Sequence, residues 1–262
     1  MDFGLQGRVA WVTAASKGLG FASAMALARE GCDLAICSRN GEAIGAAAER
    51  IRQETGRRVL ALAADVTRRE DLERFITAAM DEYGRVDVVV SNTGGPPPGG
   101  FLDFDDAAWE AAFHSLLMPA IRLTRAAIPS MRERGFGRLI YITSSGVKEP
   151  IPNLILSNAL RAALTNMMKT LAREVAAFGI TTNTVAPGRI HTDRVDSLDQ
   201  GEAARTGRTI EEVRRAQEAR IPAGRYGLPA EFGQVVAFLA SEQAGYITGS
   251  AIHVDGGMTV SL

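Results

Sequence analysis

Short β-branched runs alternate with longer helix-forming stretches along the whole chain, and this alternation most restricts what it can fold into. Strands separated by helices build βαβ units and a parallel sheet. The strand-like runs are RVAWVTA (8–14), LAICS (34–38), RVLALAADV (58–66), VDVVVSN (86–92), GRLIYITSS (137–145), ITTNTVAPG (180–188) and AIHVDGG (251–257). Between them lie an alanine-rich helix from Phe21, amphipathic helices over 41–56 and 69–84, and one long helix over 106–135 with Pro119 and Pro129 as irregularities. Further helices are expected from Asn153 to Phe178 and from Pro229 to Ser241. Near-continuous apolar strands need helices on both faces. The expected architecture is therefore a three-layer α/β/α sandwich around a seven-stranded parallel sheet. With no linker, repeat or low-complexity segment beyond GGPPPGG (94–100), residues 1–262 read as a single domain.

Bulk properties remove other classes. A net charge of −1 gives no electrostatic case for nucleic acid or an anionic membrane. No run approaches the ~18 apolar residues that span a bilayer, and no signal-peptide pattern is evident, so a cytoplasmic protein is expected. Cys32 and Cys37 stand an odd number of residues apart on a strand-like run, which puts them on opposite faces as buried thiols. The histidines, His114, His191 and His253, form no Cys/His cluster, so no metal site is expected.

The first strand runs through TAASKGLG (13–20) into a helix. Small residues at such a turn let backbone N–H groups approach a pyrophosphate where the helix dipole favours anions. The second strand ends in Cys37-Ser38-Arg39-Asn40, so Arg39, with Lys17 in the turn, offers cations suited to a 2′-phosphate in place of the acid that reads free ribose hydroxyls. Asp65-Val66, Ser91-Asn92-Thr93-Gly94, APGRIHT (186–192), GRYGLPAE (224–231), Tyr246-Ile-Thr-Gly and Val254-Asp-Gly-Gly follow in order. Together these resemble the short-chain dehydrogenase/reductase family, in particular its 3-oxoacyl-[acyl-carrier-protein] reductase-like members, from about Leu5 to Gly257. The resemblance implies a Rossmann-type fold and NADP(H), with NAD(H) second. It assigns the cofactor to Thr13, Ser16, Lys17, Gly18, Leu19, Gly20, Ser38, Arg39, Asp65, Val66, Asn92, Gly94, Arg161, Pro187, Gly188, Ile190 and Thr192. Ala14 stands where that family's first glycine is expected, which implies a slightly shifted turn.

At the catalytic end the resemblance departs. The family's chemistry uses a tyrosine acid, a lysine four residues on, a serine thirteen before the tyrosine, and an asparagine. Registered on the fifth strand, the serine falls on Ser144, the tyrosine position on Ser157 and the lysine position on Arg161. Counted from Trp109, the asparagine falls on Leu116. A serine hydroxyl is a poor proton donor near neutral pH. Arginine stays protonated, so it can stabilise a developing alkoxide or bind the nicotinamide ribose but shuttles no proton. The smaller Ser157 enlarges the pocket, with Leu154, Ile155 and Leu156 beside it. Lys148 is a substitute acid if burial lowers its pKa. Tyr141 points to the opposite face by parity, while His114, His191 and Tyr226 are weaker candidates.

Residues 193–221 match the family's substrate lid in position, polar and charged with Gly201 and Gly207 for flexibility; arginines there could meet an anionic substrate. The leading expectation is an NADP(H)-dependent oxidoreductase with altered acid catalysis, acting on a carbonyl or secondary alcohol. The alternative is a catalytically impaired NADP(H)-binding sensor or partner subunit. A non-redox activity like that of halohydrin dehalogenases, which resemble the family and carry arginine at the lysine position, comes last. The resemblance also implies a homotetramer or dimer, formed through the helices containing 107–134 and 153–178, where Ala159, Ala162 and Ala163 permit close packing.

Overall fold

Alternate residues of the strands enter two different cores, and this pleat explains why the strand sequences are apolar throughout. In the computed structural model, which describes residues 2–261, seven parallel strands form one sheet. They are β1 (Val9–Thr13), β2 (Asp33–Ser38), β3 (Val59–Ala63), β4 (Val88–Ser91), β5 (Gly137–Ile142), β6 (Ile180–Pro187) and β7 (Ala251–Val254), in the order β3-β2-β1-β4-β5-β6-β7. Ala10, Val12, Leu34, Ile36, Val88, Val90 and Ile140 point into one core. There they meet α1 (Gly18–Arg29), α2 (Gly41–Thr55) and α9 (Pro229–Ala240). Val9, Trp11, Ala35, Cys37, Val89, Leu139 and Tyr141 point the other way, onto α3 (Arg69–Tyr83), α5 (Met118–Arg134) and α6 (Ile155–Val175). Cys32 and Cys37 lie in opposite cores as free, buried thiols. This is a Rossmann-type α/β/α sandwich, and its strand order reverses between β1 and β4, the switch point where such sheets bind ligands.

Several expected boundaries move, and four of them have a local reason. β1 stops at Thr13 because Ala14 takes a left-handed φ of 48°. β3 stops at Ala63, two residues short of Asp65, whose carboxylate accepts from the Thr67 amide and turns the chain. β5 stops at Ile142 and not in the Ser144-Ser145 pair, because Ser144 Oγ accepts from the Gly146 amide and starts a 3-10 turn. The long helix over 106–135 is two helices, α4 (Asp106–Leu116) and α5, which meet at Leu117 with Pro119 in the first turn of α5. Pro119 lacks the amide that would continue one helix, whereas Pro129 lies inside α5 without ending it. The charged stretch after β6 folds as α7 (Asp193–Thr206) and α8 (Ile210–Glu218), separated at Gly207.

The end of the sheet away from the switch-point loops is bound by two buried acids. Asp87 has no exposed side-chain surface; it accepts from the Val9 amide (2.8 Å) and from Arg85 Nε (2.8 Å), with Arg8 3.6 Å away. Asp33 receives Arg57 and both Nε and Nη2 of Arg58. Burial alone would raise the Asp33 pKa, but the bonds from Arg58 and Arg57 outweigh it and hold the carboxyl below its ordinary value. Breaking a buried, hydrogen-bonded ion pair on one side leaves the other charge unpaired. Asp87→Ala is therefore expected to cost about 3–5 kcal/mol in urea denaturation; a loss under about 1 kcal/mol would show that water replaces the carboxylate there.

Candidate functional site

The loops after β1 and β4 diverge at the switch point and are tied across it. Thr13 Oγ1 donates to the Asn92 carbonyl (2.7 Å) and accepts from the Asn92 amide (3.0 Å), while Asn92 Nδ2 donates to the Ala14 carbonyl (3.3 Å). A β-carbon on Gly20 would stand 2.3 Å from the Ala14 carbonyl oxygen and 2.8 Å from Asn92 Nδ2, so no larger residue fits while the turn keeps this shape. Gly18 takes a left-handed φ of 59° and faces Thr192, whose methyl would lie 3.6 Å from a β-carbon there. Lys17, the residue before α1, gives no side-chain cap, and the first turn holds no acid. The first amides of α1 and its positive dipole end are left to an anion.

Around this turn the expected ligand-side residues divide. Ser16 is half-buried in it, and Leu19 packs on the core below. Arg39 is exposed at the end of β2 with no hydrogen bond or ion pair among the described residues. Ser38 beside it is buried and donates to the Asn40 carbonyl. Lys17 does not join Arg39: its ammonium pairs with Asp193 at the start of α7. The amide of Asp65 donates to Asp71, and the Val66 side chain lies in the core. Gly94 is exposed and has open space around it. At the end of β6 the Gly188 amide donates to Val254; a β-carbon there would meet Asp255 at 2.6 Å. Pro187 is half-buried, and the Ile190 side chain lies in the core. Thr192 caps α7 by accepting from the Val195 amide.

A second group forms where β5 gives way to α6. Ser144 Oγ already accepts from Gly146, which leaves its proton free for another acceptor. Ser157 is 7% exposed in the first turn of α6, and its hydroxyl has no partner among the described residues. One turn on, Arg161 is 8% exposed, and its Nη1 donates to the Ile142 carbonyl at the end of β5 (2.8 Å). No carboxylate pairs with Arg161 among the described residues. Burial first, and the charge of nearby Arg194 second, bring its pKa down to about 10, so it remains a cation at neutral pH.

The other expected donors are poorly suited. Tyr141 is wholly buried, shares a hydrogen bond with Thr124 (2.7 Å) and has its pKa pushed up by desolvation. Tyr226 donates to Asp199 (3.0 Å), and desolvation likewise raises it. His191 is exposed with its ring against Tyr226, and His114 is exposed against Phe113. Lys148 is exposed in the loop beyond Ser144, and Leu116 is buried at the end of α4 with no polar side-chain atom.

Asn158 and Glu149 escaped the sequence reading, and Arg194 entered it only as one of the arginines of the lid. Asn158 clamps the loop before α6 by donating to the Ile151 carbonyl and accepting from its amide. Glu149 accepts from the Val260 and Ser261 amides at 2.7 Å each and so ties the end of the chain to this loop. Arg194 reaches from α7 to donate to the Pro96 carbonyl (2.9 Å) beyond β4. Only Asn158 carried a local signal, its place directly after Ser157; the other two act through partners about 100 residues away in sequence.

A doubly wound sheet with a glycine-lined, uncapped helix start at its switch point and polar groups beyond β5 defines a Rossmann-type enzyme scaffold. A family model described as enoyl-(acyl carrier protein) reductase matches residues 13–259. The 3-oxoacyl-[acyl-carrier-protein] reductase FabG of Vibrio cholerae is 37% identical over 256 residues, 97% of this chain and 98% of that one. Dehydrogenase/reductase SDR family member 4 of Sus scrofa is 33% identical over 97% of this chain and 88% of its own. Among solved structures, L-sorbose reductase of Gluconobacter frateurii, complexed with NADPH and L-sorbose, superposes with a TM-score of 0.95 at 32% identity, covering 100% of both chains. An NADPH-dependent reductase involved in bacilysin biosynthesis does so at 0.94 and 31%, over 98% of this chain and 100% of that one. The chain belongs to the short-chain dehydrogenase/reductase family, a family of oxidoreductases.

The turn itself can be tested. A left-handed conformation costs a residue with a β-carbon about 1–2 kcal/mol, against about 0.5–1 kcal/mol of extra chain entropy for glycine. Ala14→Gly is therefore expected to raise stability by up to about 1 kcal/mol in thermal denaturation. A destabilised variant would mean that packing of the Ala14 methyl outweighs the backbone strain.

Proposed function

We propose that this protein is an NADP(H)-dependent oxidoreductase that interconverts a carbonyl compound and a secondary alcohol, with altered acid catalysis. One observation carries the reading: the uncapped start of α1, where Gly20 leaves no room for a side chain, faces the same end of the sheet as the unpaired Arg39. The first suits a pyrophosphate and the second a 2′-phosphate. In this reading Thr13, Ser16, Lys17, Gly18, Leu19 and Gly20 shape the pyrophosphate turn, Ser38 and Arg39 take the phosphate-bearing ribose, and Asp65 and Val66 flank the adenine. Asn92 and Gly94 line the middle. Pro187, Gly188, Ile190 and Thr192 line the nicotinamide side, and Arg161 bonds its ribose. Ile190 and Val66, with side chains in the core, contribute through their backbones. Two relatives of known structure are described as NADPH-bound or NADPH-dependent.

When bound, NADPH would supply the hydride that the substrate carbonyl carbon receives. Ser144 donates its free proton as a hydrogen bond to the carbonyl oxygen and so orients it. Arg161, a buried cation, stabilises the negative charge that develops on that oxygen. Ser157, standing where the family carries its tyrosine acid, is too weak an acid to supply the proton itself. Its unpartnered hydroxyl instead holds a water through which a proton from solvent is relayed to the oxygen. Residues 193–221 serve as the substrate-side lid of a single domain spanning 1–262, and the chain assembles as a homotetramer or dimer through the faces containing 107–134 and 153–178. The unpartnered Ser157 hydroxyl also supports a second reading, a cofactor-binding protein in which turnover has been lost.

Fluorescence titration with NADPH and NADH tests the cofactor. Because Lys17 is held by Asp193, Arg39→Ala is expected to weaken NADPH about tenfold to a hundredfold, the worth of one or two charge-assisted bonds, and to leave NADH unchanged. Equal loss for both cofactors would refute Arg39 as phosphate reader. Assay of ketone and aldehyde reduction separates the two readings: turnover supports the enzyme, and tight NADPH binding without turnover supports the binder. If Arg161, a permanent cation, stabilises the oxyanion, the rate is expected to show no loss of activity through neutral pH; a fall centred near neutrality would point to a different, titrating acid.

A further inference from the structure

The charges around the cleft do not balance, and the imbalance falls on two arginines. Every acid close to Arg194 in the chain is already engaged. Asp193 pairs with Lys17, Asp196 with Arg214, and Asp199 with Arg189 and Tyr226. Glu149, in the loop leading to α6, is bonded by two backbone amides. Arg161 and Arg194 have no carboxylate among the described residues; each gives one hydrogen bond to a backbone carbonyl, of Ile142 and of Pro96. Each guanidinium carries five N–H donors, so most of their donors remain unused. The loop that Arg194 touches is tied to the helix that carries Arg161. Arg194 lies against the 95–96 segment, within 2.8 Å of where a Gly95 β-carbon would stand, and that loop is stitched to the start of α6 by the Gly99–Asn153 and Ile155–Gly99 backbone bonds. Arg161 lies in the second turn of α6 and feels the charge of Arg194. Two neighbouring cations, one of them buried, are disfavoured in an empty pocket and favourable around an anion.

We infer that the substrate carries an oxyanion group, a carboxylate or a phosphate, which Arg194 receives at the mouth of the cleft with Arg161 behind it. The inference deepens the reading of this site as a carbonyl-reducing one and rests on it for the identity of the reacting group. Arg194 is exposed and Arg161 buried, so the first makes contact and the second supplies field. The pyrophosphate and 2′-phosphate of a dinucleotide belong at α1 and Arg39, which leaves Arg194, with the field of Arg161 behind it, to a second anion.

Calorimetry on the protein with and without NADPH, using two matched probe pairs, tests it: acetoacetate against methyl acetoacetate, and dihydroxyacetone phosphate against dihydroxyacetone. At least one anionic probe is expected to bind about tenfold or more tightly than its neutral partner. Whichever pair shows the preference identifies carboxylate or phosphate. The preference is expected to disappear in Arg194→Gln and return in part in Arg194→Lys, with unchanged thermal stability in both. Equal binding within both pairs, no binding of any probe, or a preference that survives Arg194→Gln overturns the anion site. Failure of NADPH to bind would refute the cofactor reading instead, and an anionic preference in the cofactor-free protein would still stand.

Discussion

The distance between the turn after β1 and the second turn-forming glycine of α1 governs this molecule. The Ala14 carbonyl comes so close to Gly20 that one β-carbon would close the gap. That approach aims the start of α1 at the switch point, and Thr13 and Asn92 hold it by reciprocal bonds between strands adjacent in the sheet but 79 residues apart in sequence. Gly233 of α9 is as tightly placed, with a β-carbon 2.4 Å from the Ala22 carbonyl, so α9 also packs on α1 at backbone distance. A helix held by these two close approaches has little freedom to tilt. The amides at its N-terminus are therefore preorganised, which matters because an anion gains most from donors already in place.

The two ends of the sheet treat charge in opposite ways. At the N-terminal ends of β1 and β2, Asp87 and Asp33 are buried, and each is met by arginines and a backbone amide. Those charges are satisfied internally and bear on stability. At the C-terminal ends, Arg39, Arg161 and Arg194 lack carboxylates. Among the described residues, the cation of the glycine turn that is paired, Lys17, pairs with an exposed aspartate, an interaction that water and salt weaken. Unpaired cations at the ligand-binding end of a parallel sheet are poor for stability, and ligand charge is the natural compensation.

The strands and the glycine turn were legible because their cause is local. Period-two burial on both faces produces apolar runs, and the turn requires small residues in sequence. The ends of β1, β3 and β5 were not legible, since each is fixed by one backbone or side-chain event at Ala14, Asp65 or Ser144 that apolar pattern does not record. The break at Leu117 was half legible: Pro119 marked the place, but Pro129 carries the same mark without the break. Arg194 could not be singled out among the arginines of the lid, because its meaning depends on the Pro96 carbonyl and on Asp193, Asp196 and Asp199 being engaged elsewhere. A charged lid in sequence does not reveal which of its charges has been neutralised.

The same accounting bears on why Ser157 and Arg161 occur together. A lysine four residues after a tyrosine is useful because it lowers the acidity barrier of that tyrosine while remaining a small, mobile cation. With serine in place of tyrosine there is no phenol to tune, and the shorter side chain leaves room that a guanidinium can use. Arg161 donates to the Ile142 carbonyl, a fixed backbone anchor, and spreads its charge over a plane with donors to spare. In the proposed function the site therefore holds negative charge, and the proton comes from elsewhere. A reduction run this way depends on electrostatic stabilisation of the oxyanion more than on acid strength, and an arginine held at the end of β5 is better placed for that than a flexible lysine.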